Sequence, residues 1–74
     1  MARIVNFELK TIERPSRHGI ARATYSVVDI DGDACLQIDT YGSGHRQMPG
    51  KVSQSVQFGP EALAELRRIL DEFP

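Results

Sequence analysis

The chain has 74 residues, nine Lys and Arg against ten Asp and Glu, one cysteine and no tryptophan. That length makes a single domain, residues 1–74, without room for a cofactor-binding half beside a substrate-binding half, which argues against a conventional enzyme. A composition 41% hydrophobic and 26% charged is that of a folded globular domain, neither disordered nor membrane-embedded.

Residues 4–10 alternate apolar and polar, with Val5, Phe7 and Leu9 facing one way and Asn6, Glu8 and Lys10 the other, and predict a first strand. Pro15 and Gly19, among polar residues, then mark a connection. Residues 20–30 are rich in β-branched side chains and predict a second strand, with Ala21, Ala23, Tyr25 and Val27 opposite Arg22, Thr24 and Ser26. Asp31-Gly32-Asp33 is the strongest turn signal in the chain and predicts a hairpin, because glycine tolerates positive φ and aspartate supports a turn through its side chain.

A third strand over residues 34–41 points Leu36, Ile38 and Thr40 one way and Cys35, Gln37, Asp39 and Tyr41 the other, so Cys35 is expected away from the core and incidental. Residues 42–50 form a long Gly-rich loop, and loops beyond the usual hairpin length tend to be functional. A fourth strand over residues 51–58 sets Val52, Gln54, Val56 and Phe58 against Ser53, Ser55 and Gln57. Gly59-Pro60-Glu61 starts a helix, since proline at the first helical position gives up a donor with no intrahelical partner and Glu61 suits the positive end of the dipole. Leu63, Leu66, Ile69, Leu70 and Phe73 then recur at helical spacing, while Glu65, Arg68 and Glu72 face water. The expected fold is α+β, a four-stranded antiparallel curved sheet followed by a C-terminal helix (ββββα), with the helix covering the apolar face.

A single core in so short a chain leaves about 3–5 kcal/mol of net stability, so small folds recruit a disulfide, a metal or a second subunit. Cys35 has no partner, and Cys35, His18 and His45 are too few and too scattered for a zinc site, so no disulfide, metal or cofactor is expected. A homodimer is the expected solution, with Leu63, Leu66, Ile69, Leu70 and Phe73 as its interface. No apolar run approaches the length of about 18 residues that crosses a bilayer, and no leader opens the chain, so a cytoplasmic location without membrane contact is expected.

The sheet face opposite the helix would be rich in short hydroxyls and amides, with Lys10, Arg22, Arg46 and Lys51 as a cationic track and Tyr41 as a stacking platform, or Tyr25 if a bulge reverses the second strand. Single-stranded nucleic acid is bound by that combination of backbone track and aromatic platform. Residues 1–28 carry net +3 and residues 29–50 net −3, so a basic first part survives inside a total of −1.

Leu36-Gln37-Ile38-Asp39-Thr40-Tyr41, then Met48-Pro49-Gly50-Lys51, the strand over residues 52–58, and Pro60-Glu61-Ala62-Leu63 with Leu66 and Leu70 carry a family resemblance over residues 35–73. This stretch resembles the single-stranded-DNA-binding domain of transcriptional positive cofactor four and its small bacterial relatives. The resemblance implies a sheet-plus-helix coactivator-like domain that dimerises through its helix and cradles single-stranded nucleic acid, DNA in preference to RNA. It implies contacts from Tyr41, Arg46, Lys51 and Ser53, and a dimer helix carrying Leu63, Leu66 and Leu70.

Other chemistry is weaker. Residues 42–46 sit between strands without a following helix or a Gly-Lys-Ser/Thr ending, unlike a phosphate loop. The Asp29–Asp33 run lacks the further ligands of a calcium loop. Asp39, Ser43 and His45 show no preorganised nucleophile or oxyanion donor. The alternative to nucleic-acid binding is a protein-interaction or structural module that recruits a partner through its sheet edge or helix stripe.

Overall fold

The computed structural model describes residues 1–42 and 50–74. At its centre is a hairpin, β2 (Ala23–Ile30) and β3 (Asp33–Tyr41), in continuous register from Ala23↔Thr40 to Ile30↔Asp33. Its turn is Asp31-Gly32, with φ of 52° and 89°. Positive φ at both central residues is what a two-residue hairpin turn of type I′ requires, and the Gly32 N–H donates to Asp29 Oδ1 at 2.9 Å. The turn predicted from Asp-Gly-Asp is therefore present, and it fixes which residues of β2 and β3 face each other.

β4 (Val52–Phe58) pairs antiparallel with β3, and α1 (Pro60–Glu72) follows after Gly59. Pro60 occupies the first turn and Glu61 lies beside it, as the sequence predicts. The helix packs against β3 and β4. Arg68 reaches Glu65 and Glu72 at 3.8 and 3.5 Å on its outer side, exposed pairs that contribute little to stability.

The amino terminus departs from the prediction. The strand is β1 (Ala2–Ile4), not residues 4–10, and it pairs parallel with β4 over Ala2↔Val56 to Ile4↔Phe58. The sheet, ordered β1-β4-β3-β2, is mixed and not wholly antiparallel. The ladder ends at Ile4 because its partner ends: β4 stops at Phe58, and Gly59-Pro60 turns the chain into the helix. Val5 and Leu9 alternate correctly but have no edge to pair with, and they are exposed. Phe7 is held by stacking on Phe58, with ring centroids 6.2 Å apart.

The buried apolar residues among those described are Cys35, Phe58 and Ala62. Cys35 is thus a core residue, 2% exposed, and not the incidental outward thiol that alternation suggested. It stands near the start of β3, next to Leu36, which pairs with Phe58 at the end of β4. Its thiol donates weakly to the Asp33 carbonyl at 3.6 Å. Tyr25 and Val27 show the converse: expected on the apolar face, they are 78% and 75% exposed. They stand on the edge strand, and the helix packs on the other two strands of the meander.

Candidate functional site

Strand register brings together the polar residues that alternation placed on one face. Asp39 stands opposite Thr24 on one side and Ser55 on the other, and Gln37 stands opposite Ser26 and Gln57. Asp39, Ser55, Gln37 and Gln57 form a connected ladder across β3 and β4. Ser55 Oγ donates to Asp39 Oδ1, Gln37 Nε2 donates to the same carboxylate at 3.1 Å, and Gln57 Nε2 donates to Gln37 Oε1 at 2.9 Å. All four members are half-buried, and the neutral donors take the place of a cation beside Asp39. Sequence reading found the residues but not the network. The signal was there in hydroxyl and amide side chains at every second position of three strands, but only the register shows that they align.

At one end of the ladder Tyr41 is fixed from three directions. Its backbone N–H donates to the Arg22 carbonyl at 3.0 Å, extending the β2–β3 ladder by one residue. Its hydroxyl lies 3.0 Å from Thr24 Oγ1, and the Arg22 guanidinium stacks over its ring at 4.7 Å from the centroid. A guanidinium stacked on a ring keeps its N–H edge free to donate in its own plane, a geometry suited to phosphate. The predicted cation and the predicted platform are therefore one unit.

The remaining predicted contact residues are arranged differently. Lys51 is exposed just before β4, beside the strand end that pairs with Tyr41. The register there passes from Thr40↔Gln54 to Tyr41↔Val52, so Ser53 is passed over by the ladder and the alternation that grouped Lys51 and Ser53 with Ser55 is interrupted. Lys10 lies elsewhere, in a shallow cleft with Phe7, Leu9, Ile69 and Phe73, against the helix. Arg46 and most of the 42–50 loop lie outside the described residues. Of the helix residues expected at a dimer interface, Leu63, Leu66 and Ile69 are half-buried, while Leu70 and Phe73 are 59% and 71% exposed.

Among the described residues no group of three or more His, Cys, Asp or Glu is placed to hold a metal ion, and no helix is long and apolar enough to cross a membrane. No protein-family model, curated protein or solved structure matches the chain.

Proposed function

We propose that the protein binds single-stranded nucleic acid, DNA in preference to RNA, as a homodimer, on the face that carries Arg22, Tyr41 and the Gln37–Asp39–Ser55–Gln57 ladder. The observation that carries this reading is the Arg22–Tyr41 stack braced by Thr24, which holds a phosphate-donating guanidinium on a ring fixed between two strands. The likeness of residues 35–73 to a single-stranded-DNA-binding coactivator domain supports it and suggests a role in transcription regulation. The Asp39 carboxylate in the middle of the face repels phosphate, so the backbone is expected to run along the Arg22 and Lys51 side while bases lie over the ladder.

Fluorescence anisotropy with labelled single-stranded and duplex oligonucleotides tests it. Binding should prefer the single strand and weaken steeply with salt, since phosphate neutralisation dominates nucleic-acid affinity. Tyr41→Ala should weaken it, because it removes the ring that holds the Arg22 guanidinium in place. Arg22→Ala and Lys51→Glu should also weaken it, and each lost phosphate contact should lower the salt slope by about one. Absence of binding at about 100 µM protein in low salt overturns the proposal.

A second reading, a protein-interaction module, is favoured by the connection between β1 and β2, where Leu9 and Ile20 are 101% and 98% exposed. Indifference to oligonucleotides together with a defined protein partner would establish it.

A further inference from the structure

The accessible surface of the chain is 6752 Å². A compact monomer of 8.3 kDa has about 4,600 Å², so roughly 2,200 Å² is exposed beyond what folding alone explains. The radius of gyration, 14.6 Å against about 11 Å for a compact chain of this length, gives the same result. Residues 5–22, which form no strand or helix and are exposed apart from Phe7, contribute to that excess, so it marks uncovered surface and not the area of one interface.

The sheet offers a specific place for a second copy. Among the described residues, no strand pairs with the outer edge of β2. It is an eight-residue strand in continuous register, without proline, lysine or a bulge, and its one charged residue, Asp29, lies next to its end. The opposite edge, β1, has three residues.

Backbone polarity then selects a register. The Arg22 carbonyl accepts from Tyr41 N–H, so Arg22 turns its backbone groups towards β3. Because the register is unbroken, Thr24, Ser26, Val28 and Ile30 do the same, and Ala23, Tyr25, Val27 and Asp29 point their N–H and C=O groups outward. Two β2 strands related by a twofold axis through Ser26 use all four outward residues, pairing Ala23 with Asp29 and Tyr25 with Val27 of the other copy. Tyr25 and Val27 are exposed large hydrophobics on one face of this edge, and aromatic opposite β-branched is a favourable cross-strand pair. The same pairing brings opposite charges together. Arg22 immediately precedes the strand and Asp29 and Asp31 lie at its other end, all exposed, so antiparallel association sets Arg22 of each copy towards the other copy's acidic hairpin tip.

We infer that two copies join edge to edge through β2, in antiparallel register centred on Ser26, to form one continuous eight-stranded sheet. This inference rests on the homodimer in the function proposed above and is independent of nucleic-acid binding. It makes the polar faces of the two copies continuous, with Thr24 and Ser26 of both at the centre.

The test uses the full chain without nucleic acid. Centred on Ser26, the two residues at position 26 form a non-hydrogen-bonded pair with Cα atoms about 4.5 Å apart, within disulfide range. Ser26→Cys should therefore cross-link to a covalent dimer under mild oxidation by copper phenanthroline, with mass mapping placing the bridge at position 26 of both copies. Thr24→Cys, which faces Val28 of the other copy, should not. Val27→Pro removes an outward N–H and no donor of the β2–β3 ladder. It should raise the dimer dissociation constant about tenfold or more, because the loss counts twice across the axis. A chain that light scattering finds monomeric at about 100 µM, a typical weak-association limit, overturns both this inference and the homodimer. A dimer in which Ser26→Cys does not cross-link, or which Leu70→Glu separates and Val27→Pro does not, overturns this inference and leaves the homodimer standing.

Discussion

The β2–β3–β4 meander and the amino-terminal arm before it carry equally regular alternation, yet one is a sheet and the other is mostly not. In the meander every strand has a neighbour of matching length, so the Asp31-Gly32 turn sets the register and each alternating side chain acquires a fixed face. In the arm, pairing stops at Ile4 because β4 stops at Phe58, and the alternating residues that follow are held at one point, Phe7 on Phe58. Period-two patterning states which way side chains would point in a strand. It does not supply the edge that makes the strand.

The difference can be broken most severely at the point where the two regions meet. Phe58, 8% exposed, is both the last residue of β4 and the anchor for Phe7, and Phe58→Ala should cost about 3 kcal/mol or more in urea denaturation, most of the stability expected for so small a core. Within the meander, Gly32→Ala should cost about 1 kcal/mol, because the residue sits at φ 89° with open space around it and the penalty is one of backbone conformation. In the arm, Leu9→Ala should change stability by less than about 0.5 kcal/mol, since its side chain is fully exposed. A larger effect at Leu9 than at Gly32, read from the same denaturation midpoints, would mean that the arm is bound to something and that the contrast between the regions is wrong.

The legibility of the site follows the same division. Alternation puts Thr24, Ser26, Gln37, Asp39, Ser55 and Gln57 on one face, and the register places them there because unbroken strands preserve parity. Parity fails where the strand is irregular. The shift between Thr40 and Tyr41 takes Ser53 out of the ladder and interrupts the count that grouped Lys51 with it. It fails also where there is no strand, which is why Lys10 is found beside the helix and not with Arg22. The stacking of Arg22 on Tyr41 was not readable, since it depends on two residues far apart in sequence meeting at the open end of a hairpin. Cys35 departs from its expected exposure for a different reason: alternation gives a side chain its face, and burial depends on what covers that face locally.

By itself, the sequence determined the order of strands and helix, the hairpin turn at Asp31-Gly32, the helix start at Pro60 and the chemistry of the polar face. These are local matters, set by backbone conformational preference and by period, and they need no knowledge of distant residues. Only the tertiary structure decided that β1 runs parallel to β4, that Cys35 is core while Tyr25 and Val27 are surface, and that β2 is an edge. Those depend on which elements find partners and where partners end, and pairing and coverage are properties of the assembled sheet that no single segment of the chain contains.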